Sequence, residues 1–190
     1  MTRAAILDSA LGLASRIGFN PLSIGQLAAA TGMSKSGLFA HFRSKEALQL
    51  ATLEHGRERF TDSVIRPTLA APRGMARVRA LFDGWMSWET EVLEGGCVFV
   101  AASIEFDDQP GPLHDALVRN QRDWMEFIEI VARSAVTEGD FRADLDVEQF
   151  AFMLQGLTYA FHHTSRLLDD SRAGDHAQQG LEQLFAAAQG

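Results

Sequence analysis

The sequence predicts an all-α fold that begins with a helix-turn-helix. Apolar residues recur at intervals of three and four along most of the chain, which is the spacing of amphipathic helices. No apolar run has a visible partner strand. Residues 23–48, SIGQLAAATGMSKSGLFAHFRSKEAL, contain three closely spaced helix starts. This stretch therefore predicts two short helices joined by a tight turn, followed by the start of a third helix.

Three serines and one glycine define the motif. Ser23, Ser34 and Ser44 each occupy an N-cap position, where a hydroxyl oxygen accepts a hydrogen bond from a free backbone N–H. Gly32 can adopt the positive φ with which helices commonly end. The inward face of the first short helix is predicted to comprise Ile24, Leu27 and Ala28. An amphipathic helix precedes the motif, with the apolar stripe Ile6, Ala10, Leu13 and Ile17.

The rest of the chain is predicted to be helical as well. A helix from Lys45 should reach about Ile65 and stop at Pro67, because a proline ring disrupts a helix interior. The segment 67–74 is the main candidate boundary between head and remainder. The apolar run 97–102 is interpreted as a helix rather than a strand. Further helices at about 75–92, 113–138, 147–168 and 173–188 bring the total to about nine.

Composition indicates a globular protein without export or membrane signals. The chain has 190 residues, 46% of them hydrophobic, which is ample for a buried core. No secretory signal and no apolar run long enough to cross a membrane is visible. The single cysteine, Cys97, excludes an intramolecular disulfide and fits a reducing compartment. We therefore expect a cytoplasmic protein.

The net charge of −8 is unevenly distributed. Residues 1–50 carry five basic and two acidic side chains, a balance of +3, whereas residues 51–190 carry twelve basic and 23 acidic side chains, a balance of −11. The positive end coincides with the helix-turn-helix, so the charge permits a nucleic-acid partner without indicating one by itself.

The N-terminal segment resembles the DNA-binding domain of the tetracycline-repressor (TetR) family over about the first 50 residues. The matching residues are Ser23, Ile24, Leu27, Ala28, Gly32, Ser34, Gly37, Leu38, Phe39, His41, Phe42, Lys45 and Glu46. Residues 96–127 resemble, less specifically, the effector-binding domain of one subgroup. The resemblance implies a three-helix DNA-binding domain at 1–46 and a helical effector-binding and dimerisation domain at 47–190.

By this resemblance, the second helix of the motif enters the major groove of a palindromic double-stranded operator. Lys35 is expected to reach a guanine or a phosphate, and Gly37 to allow close approach of the backbone. The family usually has tyrosine at the position of Phe39, so the ring should keep its packing but lacks the phosphate-contacting hydroxyl. Ordinary capping and solvation are the competing explanations. The predicted DNA-binding set is Gln26, Ser34, Lys35, Ser36, Gly37, Phe39, His41 and Lys45.

Aromatic residues of the second domain predict a small-molecule site. Ligand pockets are mostly apolar and hold a few polar groups that orient the ligand. An ordinary hydrophobic core is the competing interpretation for each residue. The predicted ligand-binding set is Trp85, Trp88, Phe99, Phe106, Gln121, Trp124, Phe127, Tyr159 and His162, with Glu105 as a further polar candidate.

No metal, cofactor or catalytic site is predicted. His162 and His163 are adjacent and so point to different faces of a helix, and no Cys, Asp or Glu at i+4 completes a metal site with them and His114. Cys97 has no nearby base, which favours a small buried thiol, with a thiol sensor as the alternative. Because no phosphate-binding glycine loop or catalytic triad pattern is visible, we expect a protein that is not an enzyme.

The resemblance implies a homodimeric repressor that a ligand releases from its operator, and the aromatic residues of the second domain favour a small, mainly apolar ligand. The resemblance implies a dimer interface formed by the helices at about 147–168 and 173–188, where Gly156, Ala160 and Ala177 offer small side chains. The alternative is that these helices only close the core of the monomer. An activator with the same head, and a helical enzyme or small-molecule carrier that binds no DNA, are the alternative functions.

Overall fold

The computed structural model describes residues 2–190, which form helices and connecting turns without a strand. The described residues contain ten α-helices. A π-helical turn at Thr61–Ile65 joins α4 to α5, so the number of continuous helices is nine, in agreement with the prediction of about nine. A second π-helical turn, Trp88–Val92, extends α6. The helices are α1 Arg3–Ile17, α2 Ile24–Thr31, α3 Lys35–His41, α4 Lys45–Phe60, α5 Arg66–Ala70, α6 Met75–Ser87, α7 Val98–Glu105, α8 Pro112–Glu138, α9 Val147–Arg166 and α10 Ala173–Gln189.

The chain divides into two compact units. The first contains the residues up to Thr61 together with Thr90–Gln121, and the second contains Asp62–Glu89 and Arg122–Gly190. The first unit thus joins the helix-turn-helix to α7, which lies in the part of the sequence predicted to bind the effector. The division of the chain at residue 46 remains a prediction.

The capping pattern in the first unit is confirmed. The hydroxyl oxygens of Ser23, Ser34 and Ser44 accept hydrogen bonds from the backbone N–H groups of Gln26, Gly37 and Ala47, at 3.2, 3.1 and 3.0 Å. Gly32 has a φ of 68°, the left-handed conformation expected at the end of α2. The predicted inward faces are buried, except that Ile17 at the end of α1 is exposed.

The end of α1 packs directly against the backbone that follows the second π-helical turn. The backbone N–H of Gly95 donates to the hydroxyl of Ser15 at 3.1 Å. A β-carbon on Gly95 would lie 1.9 Å from the Ser15 carbonyl oxygen, so only glycine fits this contact. Two segments far apart in sequence are thereby held together.

The predicted helix stop at Pro67 is wrong. The chain stays helical through Pro67 to Ala70, because the π-helical turn at Thr61–Ile65 comes immediately before it. Pro67 falls in the first turn of α5, where a missing backbone N–H costs little. The first break after α4 is therefore at residues 71–74.

The second unit has an aromatic and aliphatic core. Its α9 and α10 pack lengthwise, and α6 supplies Val78, Phe82 and Trp85 to the buried side. The Phe141 ring lies 5.3 Å from Phe150 and 5.7 Å from Phe185 between ring centroids.

At the surface of the second unit, a hydrogen bond from Arg79 to Glu182 at 2.5 Å raises the pKa of Arg79 and lowers the pKa of Glu182.

None of the helices formed by residues 2–190 combines the length and the apolar character needed to cross a membrane.

We predict opposite effects for alanine at two glycines of the first unit. Gly95→Ala should lower the free energy of unfolding by about 3 kcal/mol or more, because a β-carbon there overlaps the backbone of Ser15. Gly12→Ala should raise it by roughly 0.5–1 kcal/mol, because Gly12 lies inside α1 and a β-carbon would meet nothing within 4 Å. Urea unfolding of both variants measures this, and equal effects would contradict the packing described here.

Candidate DNA interface and ligand-binding residues

The short helix α3 is held by one side and leaves the other open. Leu38 and Phe42 are 0% and 2% exposed and anchor α3 and its C-cap in the core of the first unit. The predicted DNA-binding residues lie on the open side: Gln26, Ser34, Lys35, Ser36, His41 and Lys45 are exposed, Gly37 is half-buried and Phe39 is 51% exposed. The set therefore forms a surface that a ligand as large as DNA can reach.

Phe39, at the position where the family usually has tyrosine, lies on the open side of α3, and that it keeps the packing of that tyrosine remains a prediction. Its ring is half-exposed, whereas its neighbour Leu38 is fully buried. Successive residues of a helix point about 100° apart, so a helix anchored through Leu38 turns Phe39 towards solvent. An exposed phenyl ring on this helix is available for apolar contact with DNA, such as a thymine methyl group.

The serines of α3 have different roles. The Ser34 hydroxyl accepts the N–H of Gly37 and lies 3.2 Å from the Ser36 hydroxyl. A β-carbon on Gly37 would approach the Ser34 oxygen to 3.1 Å, so glycine leaves room for the cap. Ser34 is thus engaged in holding the helix, and the exposed Ser36 hydroxyl extends the polar surface beside it.

Lys35 extends over α2 at the position of Gly25. A β-carbon on Gly25 would lie 3.8 Å from Cε and 4.0 Å from Nζ of Lys35. These are ordinary van der Waals distances, so the packing of Lys35 does not require a glycine at this position, where glycine is unfavourable inside a helix.

The predicted ligand residues are divided between the two units. In the first unit, Phe99 and Phe106 are 5% and 8% exposed. The Phe99 ring packs edge-on against Phe60 at 5.7 Å, and the Gln121 amide donates to the Phe99 carbonyl oxygen at 3.4 Å. Glu105, the further polar candidate, accepts two backbone hydrogen bonds from the turn after α1 and so makes a structural contact.

In the second unit, Tyr159 and His162 lie on α9 itself, and the other candidates come from the chain before it. Trp85 and Trp88 are buried, while Trp124, Phe127, Tyr159 and His162 are half-buried. The Trp124 indole N–H donates to the Gln155 side-chain oxygen at 2.7 Å. Because Gln155 and His162 are seven residues apart on α9, they share a face of the helix.

A buried acid was missed by the sequence analysis. Glu89 lies in the second π-helical turn, its side chain is 2% exposed, and Oε1 is 2.9 Å from Nδ1 of His162. An acidic residue in an amphipathic helix is normally expected to face solvent, and the spacing of apolar residues did not indicate that Glu89 is buried. Gln155 was detectable, because it shares a face of α9 with two predicted residues, Tyr159 and His162.

The first unit also contains an open groove of about 420 Å³. It is lined by Asp8, Ser9, Leu11, Gly12, Arg16, Ala30, Arg59, Val92, Leu93 and Glu94. Its charged groups are paired across the groove: Arg16 with Glu94 at 2.8 Å, and Arg59 with Asp8 at 3.3 Å. None of the predicted ligand residues lines it.

Residues 2–190 contain no group of three or more histidine, cysteine or acidic side chains arranged to hold a metal ion. His114 and His162 each lie beside one acidic side chain. Nδ1 of His114 is 3.3 Å from Oδ1 of Asp115, and Nδ1 of His162 faces Oε1 of Glu89. Cys97 is 2% exposed, so its thiol is not at the surface.

An all-helical chain with a serine-capped helix-turn-helix and an exposed second helix defines a helix-turn-helix transcriptional regulator. Two family profiles match: "Bacterial regulatory proteins, tetR family" over residues 6–52, and "Tetracyclin repressor-like, C-terminal domain" over residues 74–181. Since the second profile alone covers more than half of the chain, the protein belongs to the TetR family.

Relatives and solved structures agree with this family. The chain is 27% identical over 183 residues to the HTH-type transcriptional regulator SrpR of Pseudomonas putida, covering 94% of this chain and 79% of that protein. The fold is similar to SCO4454, a TetR-family transcriptional regulator from Streptomyces coelicolor, with a TM-score of 0.83, 20% identity and coverage of 99% and 96%. It is also similar to AibR in complex with isovaleryl coenzyme A and operator DNA, with a TM-score of 0.76, 21% identity and coverage of 95% and 96%.

We predict that His162→Ala lowers the free energy of unfolding by about 1–3 kcal/mol, because it removes a hydrogen-bond partner from the buried Glu89 carboxylate. His163→Ala is the matched control, since His163 is exposed on the same helix and should change stability by less than about 0.5 kcal/mol. Thermal or urea unfolding measures both. Equal stability of the two variants would show that the Glu89–His162 contact contributes nothing.

Proposed function

We propose that this protein is a cytoplasmic homodimeric repressor that leaves its operator when a small, mainly apolar molecule binds. The observation that carries the proposal is the geometry of α3. It is capped by Ser34, anchored by Leu38 and Phe42, and exposes a polar face with Lys35 and Ser36. A helix held in this way can enter a major groove without disturbing its own core.

The proposed DNA contacts follow from the exposed side chains. Lys35, Ser36 and His41 would contact base edges or phosphates, and Phe39 would add apolar contact. Ser34 and Gly37 would act chiefly by shaping the helix. Lys45 begins α4, whose free N–H groups and dipole also favour a phosphate, and Gln26 lies exposed on α2.

Homodimerisation is supported by apolar residues that α9 leaves exposed. Phe152 and Met153 are 68% and 48% exposed, and Gly156 and Ala160 continue the same exposed face one and two turns further on. A contiguous exposed apolar surface of this kind commonly marks a protein interface. Ala177, predicted to lie in the interface, is 5% exposed within the protomer and belongs to its buried core.

A dimer also has a physical purpose. One head has few basic side chains, and two heads joined in one molecule read two half-sites about 34–36 Å apart. The second head then binds at a high effective concentration, which raises the overall affinity without new contacts. The palindromic operator follows from the twofold symmetry of such a dimer.

The ligand-binding proposal rests on the second unit. Trp85, Trp124 and Tyr159 provide apolar surface, while Gln155 and His162 provide groups that can orient a ligand. The similar structure of AibR holds isovaleryl coenzyme A together with operator DNA, which supports a small-molecule effector here as well. Release requires that the ligand prefer a dimer geometry that fits the operator poorly, with a coupling of commonly about 1–3 kcal/mol.

We predict that Lys35→Ala and Lys45→Ala weaken binding to a duplex that the wild-type protein selects from a random pool. Removing one phosphate-binding lysine should reduce the slope of log affinity against log salt by about 0.9 per protomer, or about two per dimer. Arg122→Ala is the control, because it removes an equal charge from an exposed position of the second unit. Fluorescence anisotropy across a salt series measures this. Unchanged affinity in both lysine variants would exclude α3 and the start of α4 as the DNA interface.

We predict that Phe152→Glu converts the dimer into a monomer, because it places a charge on the exposed apolar face of α9. Leu69→Glu is the matched control, since Leu69 is likewise an exposed apolar side chain, at 50%, but lies on α5. Sedimentation velocity gives the mass of each variant. A wild-type monomer, or a dimer that survives Phe152→Glu, would argue against this interface.

A further inference from the structure

Glu105, the last residue of α7, holds the turn that follows α1. One of its carboxylate oxygens accepts the backbone N–H of Phe19 at 2.8 Å, and the other accepts the N–H of Asn20 at 2.6 Å. Gly18 makes the approach possible, with a φ of 83°. A β-carbon there would lie 2.9 Å from both carboxylate oxygens. The two oxygens of one carboxylate thus accept hydrogen bonds from two successive backbone N–H groups.

The same turn is fixed from two other directions. The Gln49 side chain of α4, 7% exposed, donates to the Phe19 carbonyl oxygen at 2.5 Å. Gly95 packs on Ser15 one turn earlier. The chain then runs through the fully buried Leu22 to Ser23, the cap of α2. Because so few residues separate the Glu105 contact from the helix-turn-helix, a movement of this turn carries α2 with it.

We propose that Glu105 is a positioning residue, whose carboxylate sets the orientation of the helix-turn-helix on α7 and passes a displacement of α7 to it. This inference rests on the proposed function as a DNA-binding repressor. We call the contact of the Glu105 carboxylate with the Phe19 and Asn20 amides the joint. All the groups involved belong to the first compact unit. The family profile of the C-terminal domain includes Glu105, whereas the profile of the DNA-binding domain includes residues 18–20.

The chemistry of the contact suits a joint. Hydrogen bonds to an ionised acceptor are about twice as strong as neutral ones, and two of them fix direction as well as distance. A glutamine in this place would retain only one acceptor oxygen and would turn an N–H group towards a backbone N–H. The joint therefore depends on the charged carboxylate with both oxygens accepting.

The position of Glu105 on α7 links the joint to predicted ligand residues. Phe99 lies earlier on the helix and packs against Phe60 of α4, and Phe106 follows Glu105 directly. The Gln121 side chain of α8 donates to the Phe99 carbonyl oxygen. A ligand that shifts α7 through these groups moves the Glu105 carboxylate by a similar distance, and hydrogen bonds weaken steeply with misalignment.

The test compares Glu105→Gln and Glu105→Ala with Asp108→Asn in the full-length protein. Asp108 is exposed three residues away, so its variant removes the same charge without touching the turn. Anisotropy gives Kd for the duplex selected by the wild-type protein and for a random duplex of equal length. We expect the ratio of the random-duplex Kd to the selected-duplex Kd to fall about tenfold or more in both Glu105 variants, and to stay within about twofold in Asp108→Asn.

This ratio separates positioning from simple stabilisation. A loss of folded protein lowers both affinities by the same factor and leaves the ratio unchanged, which would overturn the inference. Amide hydrogen exchange supplies a second readout: the Phe19 and Asn20 amides should exchange faster in the Glu105 variants, while the amides inside α1 remain protected. Faster exchange with an unchanged ratio would also overturn it.

Failure of the proposed function gives a different result. If the wild-type protein shows no preference for any duplex, the repressor proposal fails before the Glu105 variants are measured. If the wild type discriminates and both Glu105 variants discriminate equally well, the repressor proposal stands and the joint is wrong.

Discussion

Backbone N–H groups at helix starts impose the constraint on which the DNA-binding head depends. The helices α2 and α3 have eight and seven residues, too few to be stable alone in water. Their N-termini expose N–H groups that must find acceptors, and serine hydroxyls supply them in α2, α3 and α4. Burial of Leu27 and Leu38 then fixes the two short helices against each other. The polar face of α3 is available for DNA because these caps and anchors use the other groups.

The caps and the apolar spacings were predictable because both are local. Ser23, Ser34 and Ser44 act over three residues, and the α2 face repeats over one turn of helix. The number of helices followed from the same local patterns. The proposed DNA-binding residues were identified by resemblance, and their exposure agrees with that role without testing it.

Several features that apolar spacing does not reveal were missed. The path of the helix past Pro67 depends on a π-helical turn, which no apolar spacing reveals. The half-exposure of Phe39 follows from the burial of its neighbour Leu38. The structural contact of Glu105, a candidate polar group of the ligand site, was not visible in the sequence, because nothing in its own segment shows that the turn 18–20, far away in sequence, needs two acceptors.

The modest charge of the head makes geometry more important to this regulator than electrostatics. A balance of +3 over residues 1–50, with only two lysines and a few arginines, limits the number of phosphates that one head can neutralise. In the proposed dimer, tight binding then requires that both heads engage together, and the gain from the second head disappears when its spacing or direction no longer fits. Under this proposal, a small rotation of each head would be enough to release the operator, since it would remove the second attachment as a whole. The turn at residues 18–20 is well placed to control that rotation, because it is the nearest segment to α2 that α4 and α7 both hold through side-chain hydrogen bonds.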